Sequence, residues 1–251
     1  MKLREIAMCG TFAAVMAAML ATPVNAATYY VDPTGVDPET GTVVSSDDYD
    51  GTEEVWQGAG TTNGPKRTLA AVMKIKGGLT SGDVVIALPG YYNDGVSNPS
   101  ARDSGTTLMR RVIIPSGVTL KSKCGPEVTF IVGESSTAPN ATADGLGTNA
   151  VGCVSNNGTL QGFTVTGGRT LSGTKDQSGL NYAGAGVYSG TAVDCIMSNN
   201  VCSWRGGGAC SVTLYYCRFY SNNEATYGGA SYSGAAYSCY YDVCTIMNTI
   251  D

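Results

Sequence analysis

The chain has 251 residues, a net charge of −5 and no histidine, and 34 of its residues are glycine. An acidic chain without clustered lysine and arginine is a poor ligand for nucleic acid or for an anionic membrane, because both require concentrated positive charge. The lack of histidine excludes histidine bases, histidine-containing catalytic triads and histidine-ligated metals. Frequent glycine with few charged residues is typical of tightly turning β structure.

Residues 1–26 have the pattern of a secretory signal peptide. Lys2 and Arg4 precede an apolar run at 11–21, and Val24-Asn25-Ala26 provides the small residues of a cleavage site. This run is shorter than the roughly 20 residues that span a bilayer, and no other stretch approaches that length. The sequence therefore predicts an exported protein, extracellular or in the cell envelope, with no transmembrane segment.

The segment 27–82 is predicted to cap the N-terminal end of the fold. It begins with a short strand, continues as an acidic loop and ends with a helix at 66–76. Leu69, Val72 and Met73 have the i, i+3, i+4 spacing of an amphipathic helix, and a pair of glycines follows.

The acidic loop of this cap is a candidate metal site. Asp47, Asp48, Asp50 and Glu53 offer the oxygen ligands that calcium prefers. Their spacing is not that of an EF-hand, so a solvated loop without metal is favoured and calcium is the alternative. No other cofactor is expected.

The remaining chain, 83–251, is predicted to be a stack of short strands. Its clearest signal is a set of three contiguous units of 22 residues, at 184–205, 206–227 and 228–249. A fixed period of this size indicates a solenoid, in which each unit buries its apolar face against the next. Three strands of four to five residues with three short turns would make one coil, and coils of β-strands stack about 4.8 Å apart. A leucine-rich repeat is excluded, because the three units contain a single leucine, Leu214.

Equivalent positions of successive coils should form columns. Two columns are apolar and are predicted to point inward: Leu160, Ala192, Leu214, Ala236 and Val165, Met197, Phe219, Tyr241. The unit-start glycines suit tight corners with positive φ.

A third column contains Cys195, Cys217 and Cys239. We favour a ladder of small apolar side chains that fills the core. An exported protein can also form disulfides, so one bond between two of the three thiols is the alternative. No zinc site is expected, because the chain has neither a CxxC pair nor histidine.

Two further columns are polar or aromatic. Asn200 and Asn222 should form a stack of side-chain amides along one turn. Tyr215 and Tyr237 share a column that is predicted to face outward, where they could contact a glycan or a partner. Ordinary strand packing is the simpler interpretation of these two tyrosines.

The repeats resemble the polymorphic outer-membrane protein repeat, whose signatures are GGA followed by a small or aliphatic residue, and FxxN. Gly207-Gly208-Ala209-Cys210 and Gly228-Gly229-Ala230-Ser231 match the first signature, and Phe219-Tyr220-Ser221-Asn222 matches the second. Met197-Ser198-Asn199-Asn200 differs only by Met in place of Phe.

The N-terminal half resembles secreted proteins of the pectate-lyase-like superfamily. The resemblance is carried by Tyr30-Val31-Asp32, by the Gly-Pro-x-x-Thr-Leu segment at 64–69 and by the segment 82–91, which runs from Gly-Asp to Pro-Gly-Tyr. It implies a right-handed parallel β-helix with an N-terminal cap.

That fold carries lyases, hydrolases, adhesins and plain surface spacers, so function has to be argued from residues. Asp194, Glu224 and Asp242 occupy different positions of the repeat and do not form one acidic column. The leading hypothesis is therefore a non-enzymatic, adhesin-like secreted or surface protein that contacts a host or extracellular polysaccharide or protein. The alternative is a carbohydrate-active lyase or hydrolase, or a glycan-binding module. Its site would lie in the loops 91–109 and 167–182 or beyond the chain end.

The repeat also carries an expectation about the C-terminal end. The third unit ends at Thr249, and Ile250 and Asp251 begin a fourth. A solenoid needs a polar terminal cap, because the last coil otherwise presents bare strand edges. The sequence predicts that the chain is truncated here, or that further coils or a partner cover this end.

Overall fold

The computed structural model describes residues 26–97, 107–173, 181–224, 228–242 and 246–250. The predicted signal peptide lies outside these residues except for Ala26. Within the described part the chain forms nineteen strands, β1 to β19, and one helix, α1. The ladders that join named strands are all parallel. The chain is thus a nearly all-β parallel solenoid, in agreement with the predicted class. No helix in these segments has the length and apolar character needed to span a membrane.

The strands stack on four faces. The first face holds β4 (Met109–Ile114), β7 (Val151–Asn156), β10 (Val187–Tyr188), the start of β14 (Ala209–Tyr215), the start of β17 (Ser231–Tyr237) and β19 (Ile246–Ile250). The second holds β1 (Thr28–Val31), β2 (Val84–Ala87), β5 (Thr119–Ser122), β8 (Thr159–Gln161), β11 (Thr191–Val193) and the ends of β14 and β17.

The third face holds β3 (Gly90–Tyr92), β6 (Thr129–Val132), β9 (Thr164–Thr166), β12 (Ile196–Ser198), β15 (Arg218–Tyr220) and β18 (Tyr240–Asp242). The fourth is short and holds β13 (Val201–Cys202) and β16 (Asn223–Glu224). The sequence predicted three strands in each coil. The coil 184–205 has four, each two or three residues long, whereas the coil 206–227 has three, because β14 covers both the first and the second face.

The corners explain why one coil takes 22 residues. The backbone enters the left-handed region at Gly184, Ser189, Asp194 and Asn199 in one coil, and at Gly206, Ser211, Tyr216 and Ser221 in the next. Three intervals of five residues and one of seven make up the 22 residues, and Gly190 beside Ser189 is left-handed as well. A single left-handed residue turns the chain sharply between two extended segments. The glycine corners were predicted. The other corners were not, because serine, aspartate, asparagine and especially tyrosine adopt this conformation infrequently.

The predicted inward columns form the core. Leu160, Ala192 and Leu214 stack in register at no more than 1% exposure, and Val165, Met197 and Phe219 are fully buried beside them. The side chain of Tyr241 lies outside the described part. Burial of one continuous apolar column is what joins the coils, since no single coil encloses a core of its own.

The cap helix is shorter than predicted. It spans Leu69–Val72, whereas the sequence predicted 66–76. Lys66 is extended and forms a bridge with Val31, and Thr68 is the N-cap, with its hydroxyl accepting a hydrogen bond from the Ala71 amide. Pairing with β1 therefore delays the start of the helix.

The 22-residue spacing ends at the last described strand. Ser231 pairs with Ile246, only 15 positions later, although the sequence placed the third unit at 228–249. β18 still stacks on β15 in register. β19 begins at Ile246, four positions after the end of β18 at Asp242, and lies on the first face.

Candidate functional site

Four tyrosines of the regular coils are exposed and form what we call the tyrosine patch. Tyr215, Tyr216, Tyr237 and Tyr240 expose 36%, 57%, 45% and 56% of their surface. Tyr215 follows the buried Leu214 in β14, so strand alternation turns it outward. Tyr216 is a left-handed corner residue, which places it at the edge between the second and third faces.

Tyr215 and Tyr237 stack directly on each other. They are register partners in β14 and β17, and their ring centroids lie 4.9 Å apart with planes inclined by 12°. Each ring therefore uses one face on its neighbour. A ligand meets ring edges, hydroxyls and at most one face of each ring, which is poor geometry for stacking several sugar rings along the column.

Charged groups flank the patch. Arg218 opens β15 and forms an ion pair with Glu127 at 2.7 Å, and this hydrogen bond raises the pKa of the guanidinium. Asp194 occupies the corner equivalent to Tyr216 in the preceding coil, where its amide donates to the Tyr215 carbonyl. Burial raises the pKa of Asp194 and outweighs the opposite effect of Arg218. The patch thus combines aromatic edges with a paired cation.

A second candidate is a polar cleft of about 550 Å³ between the segment 133–150 and the corner column of Asn199. Its lining includes Ser135, Thr142, Asp144, Arg169, Asn199 and Asn223. Hydroxyl, amide, carboxylate and guanidinium groups of this kind suit a polar ligand.

Arg169 holds the two walls of the cleft together. Its Nε donates to the carbonyl of Asp144 at 2.8 Å, and its Nη1 donates to the carbonyls of Asn199 at 2.7 Å and Gly168 at 3.0 Å. Burial lowers the pKa of this guanidinium. The predicted loop 167–182 thus contributes to a cleft through Arg169, whereas 98–106 and 174–180 lie outside the described residues.

The acidic loop is used by the cap itself. Asp47 accepts hydrogen bonds from the amides of Arg67 and Thr68 and from the Thr68 hydroxyl, so it positions the start of α1. Asp50 accepts from the amide and hydroxyl of Thr52.

The remaining two candidates of this loop, Asp48 and Glu53, are exposed. Nowhere in the described segments do three or more acidic, cysteine or histidine side chains converge on a metal position. Calcium binding by this loop stays an alternative based on the sequence.

Asn200 and Asn222 form the amide stack that the sequence predicted. Asn200 Nδ2 donates to Asn222 Oδ1 at 2.9 Å and to the carbonyl of Val165 at 2.9 Å, and its Oδ1 accepts from the Gly168 amide. Asn222 Nδ2 donates to the carbonyl of Met197. Both side chains are buried, so they satisfy backbone groups that the turn leaves unpaired.

The cysteine column lies in the core. Cys195 and Cys217 are fully buried and are not joined in a disulfide, and Cys239 is half-buried above them. The structure therefore shows a ladder of thiols at these positions.

Two buried arginines were missed by sequence reasoning. Arg110 is fully buried and donates to the backbone carbonyls of Ala183, Gly184 and Ala185, and burial lowers its pKa to about 10. Arg111 donates to the Val132 carbonyl and pairs with Glu134. Both tie long connecting segments to the first face. A pair of adjacent arginines in a strand carries no sequence signal for burial.

Comparison of the chain with protein-family models, with curated proteins and with solved structures finds no match in any of the three.

Proposed function

We propose that this chain is an exported, non-enzymatic, adhesin-like protein with a right-handed parallel β-helix, and that it binds a partner protein through the tyrosine patch. The observation that carries this proposal is the register of Tyr215 on Tyr237. Two exposed rings repeat at the coil spacing on an otherwise regular surface.

The right-handed coil is supported by a general rule of strand connection, and export of the protein is supported by the sequence of residues 1–26. Crossover connections between parallel strands of one sheet are right-handed in about 98% of cases. The resemblance to pectate-lyase-like proteins and to polymorphic outer-membrane protein repeats agrees with that hand. The charged, apolar and small-residue parts of 1–26 support secretion.

A protein partner is favoured over a polysaccharide because of ring geometry. Sugar binding uses the open face of an aromatic ring, and Tyr215 and Tyr237 already cover one face of each other. Tyrosine edges and hydroxyls beside the arginine of an ion pair suit a protein interface, where tyrosine and arginine are enriched.

The test compares two exposed aromatic stacks of the same protein. The full chain and the variants Tyr215→Ser/Tyr237→Ser and Tyr91→Ser are applied to arrays of extracellular proteins and of polysaccharides. Tyr91 is the matched control, since it is 62% exposed and stacks on Phe130 with centroids 4.5 Å apart. We expect binding to a protein on the array, weakened roughly tenfold or more by the double change and unaffected by Tyr91→Ser. Equal loss in both variants, or binding to polysaccharide alone, would overturn the assignment.

The polar cleft supports a second candidate, a carbohydrate-active or glycan-binding function. The supporting observation is its lining of hydroxyl, amide and charged groups around Arg169. The full chain is incubated with a panel of acidic polysaccharides, and unsaturated products and reducing ends are measured. Turnover that is lost in Asp144→Asn would replace the non-enzymatic proposal. Binding without products, lost in the same variant, would support a glycan-binding module.

A further inference from the structure

The thiols of Cys195, Cys217 and Cys239 stack along the solenoid axis. The amide of Arg218 donates to the Cys195 carbonyl at 2.9 Å, and the amide of Tyr240 donates to the Cys217 carbonyl at 2.9 Å. These bonds hold equivalent cysteines one coil apart. The separation of neighbouring parallel strands, about 4.8 Å, lies inside the Cα–Cα range of disulfides, about 4.4–6.8 Å.

The three side chains also point the same way. Each Sγ lies 3.3 or 3.4 Å from the carbonyl oxygen two residues earlier, at Val193, Tyr215 and Tyr237. Hydrogen bonding of the middle thiol with Cys195 and then with Cys239 raises the pKa of Cys217. The column is therefore a continuous row of thiols rather than three separate ones.

A row of three thiols can hold one disulfide, and Cys217 must belong to it. Identical side-chain directions leave the sulfurs about one coil apart, so one partner has to rotate about χ1 to bring them to bonding distance, about 2.05 Å. Cys195 and Cys217 are fully buried in a close-packed core, which resists such a rotation. Cys239 is half-buried and has the room to turn.

We propose that Cys217 and Cys239 are a site of reversible oxidation that forms a disulfide between successive coils, while Cys195 stays a thiol beneath them. This assignment goes beyond the proposed binding function and does not depend on it. The bond would join β15 to β18 and fasten the two regular coils that carry the tyrosine patch.

The oxidant is a small disulfide or a protein dithiol oxidase. The Cys239 thiolate attacks the disulfide of the oxidant, which releases one thiolate and leaves a mixed disulfide on Cys239. The Cys217 thiol then attacks Cys239 Sγ as its proton passes to the departing second thiolate. Two S–H bonds are lost and one S–S bond forms. The S–S bond of the oxidant is broken, and the two electrons and the two protons of the cysteine thiols reduce it to two thiols.

The test uses the full chain, reduced and then treated with oxidised glutathione. Trypsin cleaves after Arg205 and Arg218, which places the three cysteines in three different peptides. Tandem mass spectrometry of the non-reduced digest should identify one linkage, Cys217–Cys239. Thiol titration under denaturing conditions should show that oxidation removes two thiols from the wild-type chain. Cys195→Ser should lose two thiols as well, and Cys239→Ser should lose none. Cys217 and Cys239 lie 22 positions apart. A disulfide that closes a loop of this length should raise the Tm by roughly 10 °C.

Three results overturn the proposal. These are a Cys195–Cys217 linkage, linkages only to cysteines outside the column, and no linkage at all. Mapping of the wild-type chain decides among them, so the conclusion does not depend on whether Cys217→Ser folds. Retention of the two-thiol loss in Cys239→Ser would show that the buried pair reacts instead, and would also overturn it.

Discussion

The coils before residue 184, which we call the wide coils, and the regular 22-residue coils from 184 onward share the same apolar interior. They differ in the length of the segments between faces and in the residues at their corners. Thr119 pairs with Thr159, 40 positions apart, whereas Thr191 pairs with Thr213, 22 positions apart. Leu120 and Leu214 nevertheless occupy one continuous inward column, and both are buried. The apolar columns therefore determine how coils stack, while the length of the segments between faces is free to vary.

The corners differ as well. Gly162 and Gly167 turn the wide coil β8–β9, and the equivalent positions of the next coil are Asp194 and Asn199, also with positive φ. Glycine adopts this conformation without strain, and other residues lose about 1–2 kcal/mol. The corners of the regular coils therefore carry backbone strain. They also present side chains such as Tyr216 at the surface, which glycine corners do not.

The strongest test of the shared interior is truncation of the leucine column in both regions. Leu160→Ala and Leu214→Ala should each lower the free energy of unfolding by about 3 kcal/mol, because both remove a fully buried side chain from the same column. Chemical denaturation followed by tryptophan fluorescence measures this. A much smaller loss for Leu160→Ala would mean that the wide coils pack more loosely than the regular ones.

The amide stack joins the two regions, so its removal should be the next largest effect. Asn200→Ala should lower the free energy of unfolding by about 2 kcal/mol, because it leaves the Gly168 amide and the Val165 carbonyl of a buried turn without these hydrogen bonds. Asn222→Ala and the double variant complete a cycle. Additive losses in that cycle would contradict the 2.9 Å contact between the two amides.

The explanation of the corners predicts that two substitutions in one corner column change the stability in opposite directions. Gly167→Ala should destabilise by about 1 kcal/mol, because φ is +69° there while the added Cβ would meet only ordinary contacts. Ser221→Gly, at the equivalent corner of a regular coil, should be neutral or stabilise by less than about 1 kcal/mol. The same sign for both changes, measured by thermal unfolding, would contradict the explanation of the corners.

The smallest effect concerns the contact between the cap and the start of the coils, and it depends on pH. Burial raises the pKa of Asp83, but hydrogen bonds donated by the amides of Thr80 and Ala27 outweigh it and lower the pKa below its usual value. The stability that this carboxylate contributes is therefore present above its unfolded pKa and is lost as the pH falls through the folded value. The Tm of the wild-type chain should fall below about pH 4 more steeply than that of Asp83→Asn. Parallel profiles would show that Asp83 does not contribute.

Much of the fold was predictable because its signals repeat. The columns through Leu214 and Phe219, the glycine corners and the stack of Asn200 on Asn222 all follow from aligning one 22-residue unit on the next. The candidate sites were less predictable. Asp47 belonged to a loop predicted to be solvated, with calcium binding as the alternative, whereas in the structure its carboxylate positions α1. Its partner Thr68 lies 21 positions away, and only the folded cap brings them together.

The sequence by itself determined a parallel stack of coils, its interior and its period, since a repeat places like residues on like residues. Only the tertiary structure decided which groups meet across unequal loops. It buried Arg110 under the carbonyls of 183–185 and closed the polar cleft around Arg169. It also stacked the rings of Tyr215 and Tyr237 on each other, which leaves their edges and hydroxyls, rather than all their ring faces, exposed. These contacts depend on where side chains point at the corners, and the left-handed serine, aspartate and tyrosine positions that set those directions carry no signal in the residue pattern.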